Sequence, residues 1–373
     1  MRLGLGLYRH MLTTEYYDFA RQAGCTQVII HLVDYFRQGV ANPGNNQPTG
    51  DKYAPWGVAG DPGSLWTVEE MRAARLAIES AGLTLAGIEN LDPGHWHDVL
   101  LDGPRRAEHI ENVKTVVRRM GEADIPILGY NFSISGVCGR VTGPFGRGHA
   151  ITVGMDGPAD DVPLPKGTVW NMVYEGSATG VLPSISHDEL WRRFAQFLEE
   201  IIPVAEQAGV RLALHPDDPP MPTMRSQPRL VYQPSMYQRV LDLMPSRNNA
   251  LELCVGTLAE MTEGDVYDAV DRYSRQGKIA YVHLRNVKGK VPNYLETFID
   301  EGEVDMVRIL SILKQNGFDG VIIPDHAPQM SCPAPWHAGM THTLGYIAGV
   351  LASLGKPRFS SQNLSERLSN ETI

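Results

Sequence analysis

The feature that most constrains this chain is an eightfold alternation. Short apolar runs rich in β-branched residues recur, each followed by a longer stretch whose apolar residues repeat at helical spacing. The runs fall at 3–8, 27–31, 83–89, 125–130, 211–215, 250–254, 279–285 and 320–324. Helices are predicted over 14–23, 67–81, 104–123, 187–208, 234–243, 265–276, 304–316 and 341–354. The stretch 187–208 shows the pattern best: Leu190, Phe194, Phe197, Leu198, Ile201, Ile202 and Ala205 form one stripe, with Ser186 placed to cap its N-terminus. Gly24, Gly82, Gly209 and Gly317 each stand where a helix should stop before the next strand. Strands that read apolar throughout are buried on both faces, which requires a parallel sheet covered by helices. Eight such units favour a (β/α)8 TIM barrel, of class α/β, over an open doubly wound sheet.

The 373 residues accommodate one such barrel over 1–355, followed by a polar tail over 356–373. Two stretches rich in Gly, Pro and Asn, about 34–64 and 131–186, interrupt the rhythm. Each follows a strand, so both are expected as lid-like loops on the C-terminal face, where barrel active sites form.

That face also collects the chemistry. His215, Cys254, His283 and Asp325 end the last four predicted strands, in the contexts LALHPDDPP, LELCVGT, YVHLRN and IIPDHA. Any one of them alone reads as an ordinary core residue. Four metal-ligand types one βα unit apart would converge over one half of the barrel mouth, which predicts a metal site. A thiolate, two imidazoles and a carboxylate suit Mn²⁺, Fe²⁺ or Zn²⁺ better than Mg²⁺ or Ca²⁺, which prefer all-oxygen shells. His326, beside Asp325, is the candidate catalytic acid or base, with orientation of Asp325 as its alternative role. Asn131, Arg147, Asp217, Arg285 and His342 are the candidate substrate-binding residues. Arg140, Asp218 and Asn286 are near alternatives, because an arginine beside a metal in an acidic protein suits a carboxylate or phosphate ligand. His95 and His97 are assigned to a loop after the third strand, either lining the mouth or on the surface.

Composition excludes other classes. Lys and Arg total 33 against 43 Asp and Glu, a net charge of −10 without any basic run, so neither nucleic acid nor an anionic membrane is an expected partner. No segment has the length and apolarity of a membrane span, and MRLGLGLYRHML lacks a signal-like apolar core, so a cytoplasmic protein is expected. The four cysteines are far apart with no CxxC pair, and Cys25, Cys138 and Cys332 are assigned no metal role. Gly4 and Gly6 lack the third glycine of a dinucleotide fingerprint, and no G-x-S-x-G elbow occurs.

Several segments together resemble the mannonate dehydratases, sugar-acid lyases among the xylose-isomerase-like barrels. The resemblance runs from about Leu83 onward through GLTLAGIENL, HIENVKTVVRRMGEADIPILGYNF, ELWRRFAQFLEEIIPVAEQAGVRLALHPDDPP, LCVGTL, YVHLRNVK, EVDM and GFDGVIIPDH. It implies that His215, Cys254, His283 and Asp325 hold Mn²⁺ or Fe²⁺, that His326 is catalytic, and that the protein is a homo-oligomer, dimeric or larger. The chain departs from the family in three places. Ile323 precedes the PDH where the family has Arg, and SISGVCGRVTG replaces W-T-R-T-D-L. WHAGMTHTLGYIAG replaces the segment that carries a catalytic tyrosine, so His337 or His342 is expected in that space.

The resemblance thus implies a metal-dependent hydro-lyase acting on a sugar acid, converting D-mannonate to 2-keto-3-deoxy-D-gluconate. The chemistry agrees, because removing a proton α to a carboxylate needs a cation on that carboxylate and a positioned base. Two alternatives remain open: a metal-dependent sugar isomerase or epimerase of the same superfamily, and a sugar-acid binding protein without turnover.

Overall fold

In the computed structural model the described residues are 1–38, 53–157, 162–175 and 179–355. The tail 356–373 and the part of the first insertion over 39–52 lie outside them. Eight parallel strands close into a barrel: β1 (Arg2–Leu7), β2 (Gln27–Ile30), β3 (Thr84–Glu89), β4 (Ile127–Tyr130), β5 (Arg211–Leu214), β6 (Asn249–Cys254), β7 (Ile279–Leu284) and β8 (Val321–Pro324). Each pairs with its neighbours in chain order, and β8 closes on β1. All eight predicted runs supply these staves.

The helices around the barrel are α1 (Thr14–Gln22), α2 (Val68–Ser80), α3 (Pro93–Leu101), α4 (Arg106–Glu122), α5 (His187–Ala208), α6 (Met236–Leu243), α7 (Val255–Glu260), α8 (Val266–Arg275), α9 (Met306–Gln315) and α10 (Pro335–Gly355). Ser186 caps α5 by accepting from the Glu189 amide, and all four predicted stop glycines have positive φ, Gly209 at 71°. Two short helices were not foreseen. Asp92 caps α3, with Pro93 at its first position, and the Cys254 side chain accepts from the Thr257 amide to start α7. No helix among the described residues is long and apolar enough to cross a membrane.

Side chains alternate along each strand, so one parity fills the barrel interior. Its lower layers are apolar, with Ala213, Ala250, Ile29, Val321 and Ile323 in one cluster. The same parity carries upward to His31, His215, Glu252, Cys254, His283 and Asp325, so the interior turns polar toward the C-terminal mouth. Gly129 on β4 makes room for this layer, because a Cβ there would stand 2.1 Å from the Tyr281 hydroxyl and 2.7 Å from Glu252 Oε2.

The insertions are partly regular rather than loops throughout. Arg140–Gly143 and Thr152–Asp156 from the second insertion join a hairpin, Asn286–Lys290 and Asn293–Thr297, in a four-stranded sheet over the mouth. Gly57–Val58 of the first insertion pairs with Met172–Val173 of the second. The two insertions are therefore one cap.

Candidate active site and metal centre

His215, Cys254 and His283 bring one ligand atom each to within 4.8 Å of one another. Asp325 stands beside two of them, its Oδ2 lying 3.6 Å from Cys254 Sγ and its Oδ1 3.8 Å from His283 Nδ1. Once deprotonated, both imidazoles are wired to present a lone pair to an ion. His215 Nδ1–H donates to the Pro216 carbonyl at 2.6 Å, which frees Nε2. His283 Nε2–H faces Glu89 at 3.2 Å and Glu252 at 3.1 Å, which frees Nδ1, a buried atom with no hydrogen-bond partner. An orphaned buried nitrogen amid a thiol, a carboxylate and a second imidazole fits a divalent cation, and the mixed N, S and O donors fit Mn²⁺, Fe²⁺ or Zn²⁺.

Charges around the centre are strongly coupled. Burial and Asp325 oppose ionisation of Cys254, but Arg285 and the two imidazoles outweigh them and bring the thiol down to about 6. Burial opposes the charged form of His215, yet Glu252 and Cys254 raise it to about 10. Glu252 is pushed up to about 8, first by burial and then by Glu89. The Asp325 carboxyl, against the push of burial, is held well below its ordinary range by His326, Arg285, His283 and His215.

Above this centre a cavity of about 500 Å³, its mouth included, opens between the barrel and the cap. His326 lies on its wall. Its Nδ1 lies 2.8 Å from Glu296 Oε2 and its Nε2 3.4 Å from Asp325 Oδ1; in the neutral tautomer with the proton on Nδ1, Glu296 accepts it and Nε2 keeps the lone pair. Glu296 Oε1 in turn accepts from Arg140 at 2.9 Å and from Arg285 at 3.0 Å. Arg285, only 1% exposed, also contacts Glu260 (2.9 Å), Asp218 (3.2 Å) and Asp325 (3.2 Å). It crosses directly over Gly256, where a Cβ would meet its Nε at 2.4 Å. Asn131 lines the cavity and donates to Asn90, which donates to the Tyr35 hydroxyl at 3.0 Å. Trp56 and Trp170, with ring centroids 5.3 Å apart, close the side contributed by the insertions.

The other residues expected at the site have different surroundings. Asp217 accepts from Arg229 and from the Leu230 and Val231 amides, which fixes the turn after β5, while the neighbouring Asp218 lines the cavity. Arg147 and His342 both contact Asp300, at 2.9 and 3.1 Å, away from the cavity wall. The second insertion delivers Arg140 to the cavity instead. His337 stacks on Tyr16 and packs against Phe19, also away from it. His95 and His97 are neither mouth nor surface residues but buried turns of α3. His97, Asp98 and His109 do form a second compact group. There, however, His109 Nδ1 accepts the Asp98 amide, so the other ring nitrogen carries the proton and offers no lone pair.

Glu89, Glu252, Glu296, His31 and Tyr8 belong to the site but were not singled out from the sequence. The first two carried a signal: Glu89 ends a predicted strand and Glu252 sits two residues before Cys254, hence on the same inward face. Glu296 had none, because it reaches the site from a hairpin.

A family model described as D-mannonate dehydratase matches residues 21–138 and 178–361. A mannonate dehydratase from Streptococcus pneumoniae (strain 70585) is 30% identical over 300 residues, covering 76% of this chain and 79% of that protein. The crystal structure of mannonate dehydratase from Streptococcus suis serotype2 superposes with TM-score 0.73 at 22% identity, covering 95% of this chain and 93% of the other. An L-ribulose 3-epimerase structure superposes at 0.53 with 14% identity, covering 99% of each chain. These two structural matches are likenesses of fold.

Proposed function

The chain belongs to the mannonate dehydratase family, and from that premise we propose that it removes water from D-mannonate or a closely related aldonic acid to leave a 2-keto-3-deoxy acid. The observation that carries this reading is the meeting of His215, Cys254, His283 and Asp325 with His326 at one mouth. A divalent Mn²⁺ or Fe²⁺ held by the four donors, with Zn²⁺ as the third choice, would supply positive charge to acidify the carbon next to the substrate carboxylate.

The protein's own groups do the rest. His326 Nε2 takes the C2 proton, and Glu296 holds the ring in the tautomer that can accept it. Arg140, with its carboxylate partners behind it, faces the acid's charged end. Asn131 and Asn90 offer amide groups to the sugar hydroxyls. The tryptophans and the cap keep bulk water from the carbanionic stage. Arg285 is not a substrate contact in this scheme; it fixes Asp325, Asp218 and Glu296 from behind.

Incubating Mn²⁺-loaded protein with D-mannonate should release a 2-keto acid detectable by its semicarbazone. Retention of the C3 hydroxyl with proton exchange at C2 would instead mark an isomerase or epimerase. Binding with no turnover of any aldonic acid would mark a binding protein. His326→Ala should keep the metal and lose turnover by about 10²–10⁴-fold.

A further inference from the structure

Dehydration needs two proton-carrying groups: a base for C2–H and an acid for the departing C3 hydroxyl, since hydroxide is a poor leaving group. His326 supplies the first. The remaining phenols and imidazoles on the cavity wall, apart from the metal donors, are His31, Tyr35 and Tyr8. Tyr35 is occupied, its hydroxyl accepting from Asn90 and lying 3.2 Å from His31 Nδ1. His31 is held between that hydroxyl and Glu89, 3.7 Å from its Nε2. Tyr8 differs. It continues the inward parity of Gly4 and Gly6 beyond the end of β1 and stacks on His31 at 4.6 Å. Its hydroxyl makes no hydrogen bond among the described residues, although Asp325, Glu89, Arg140 and Glu296 all act on it electrostatically.

Resting on the dehydratase reading, we infer that the Tyr8 hydroxyl is the acid that protonates the departing C3 hydroxyl. The C2 proton passes reversibly to His326 Nε2, and the electron pair it leaves on C2, delocalised into the carboxylate, then forms the C2=C3 double bond when the C3–O bond breaks. The oxygen leaves as water with the Tyr8 hydrogen. The enol tautomerises to the 2-keto acid, and the proton held by His326 returns through solvent to the phenolate. A phenol carries its hydrogen at neutral pH, so it enters each cycle protonated. His337 and His342, expected in the space of the family's catalytic tyrosine, lie on Tyr16 and Asp300 respectively.

The test is Tyr8→Phe, with a thermal melt to establish that it folds like the parent. The expected result is a fall in kcat of about 10²–10⁴-fold with KM little changed. Substrate recovered from deuterium oxide should still gain deuterium at C2, because the base is intact. A 3-deoxy-3-fluoro analogue, whose fluoride departs without a proton, should be turned over by the variant at close to the parent rate. Parental turnover of the natural acid by Tyr8→Phe overturns the assignment, as does loss of C2 exchange together with elimination, or failure of the fluoro analogue to rescue. A parent enzyme that leaves every aldonic acid intact overturns the dehydratase reading itself, and this role with it.

Discussion

Replacing Arg285 by Met tests whether the centre is held by charge or by shape. Arg285 is 1% exposed and its guanidinium contacts Glu260, Glu296, Asp218 and Asp325 within 3.2 Å. Met fills much of the stem volume but leaves those carboxylates facing one another in a buried setting. Removing one partner of a buried ion pair costs about 3–5 kcal/mol, since the other charge stays desolvated. At about 2 °C per kcal/mol for a chain larger than 250 residues, metal-stripped protein should melt about 6–10 °C lower at pH 7.5. The loss should also depend on pH. Burial pushes the Asp218 carboxyl up, but Arg285 and Arg140 hold it down at about 2, below the ordinary 3.8. In the parent, that depression contributes stability above the ordinary value, and the contribution disappears as pH falls toward 2. Without Arg285 the carboxylates take up protons more readily folded than unfolded, so acid relieves their repulsion and the deficit at pH 5 should be smaller than at pH 7.5. Calorimetric melts at the two pH values decide it. A deficit below about 2 °C, or one equal at both, would mean that packing rather than charge holds the centre.

Cys254→Ser should weaken binding of Mn²⁺, Fe²⁺ or Zn²⁺ at least about 10-fold by calorimetry, because a hydroxyl replaces a thiol already lowered to about 6. In the parent, metal affinity should rise from pH 6 to pH 8 with proton release, since His215, held up at about 10, must surrender a proton to bind; an affinity flat across that range would exclude it as a ligand. Arg147→Ala should leave kcat/KM within about twofold, because its exposed ion pair with Asp300 is worth under about 1 kcal/mol and lies away from the cavity; a loss of 100-fold would restore it to the substrate site.

The barrel was legible because its signals are local and repeated. A short apolar run followed by a helical stretch, closed in four units by a stop glycine, needs no distant contact to be read, and each of the eight strands followed from such a run. The grouping of the candidate donors was legible because strand ends in a closed barrel converge by topology, so spacing substitutes for coordinates. What failed was anything decided across the insertions. Arg140 and Arg147 are seven residues apart in one glycine-rich segment, and sequence offers no reason to prefer either. The choice is made by antiparallel pairing of Arg140–Gly143 with Thr152–Asp156, which turns Arg140 toward Glu296 and leaves Arg147 beside Asp300. His95 and His97 were misread for a different reason. α3 is buried on all sides, His95, His97 and Asp98 included, so its sequence shows no amphipathic stripe.

Glu296 shows why the missed part matters to the chemistry. It lies on the hairpin strand Asn293–Thr297, whose other edge pairs with Thr152–Asp156 of the second insertion. Its two oxygens face different tasks: Oε2 accepts from His326 and sets the ring's tautomer, while Oε1 accepts from Arg140 and Arg285. One carboxylate therefore ties His326, the proposed base, to the cap and to the arginine behind the candidate metal donors. Burial pushes Glu296 up, but His326, Arg285 and Arg140 outweigh it and hold it below the usual carboxylate range, so it stays an acceptor for all three. A lysine in place of Arg285 could not span these acceptors, because its single ammonium lacks the planar fork that reaches Glu260 with one nitrogen and Glu296, Asp218 and Asp325 with the other. Forming the cap and orienting the base are thus the same structural event, which is why neither is readable from the strand ends alone.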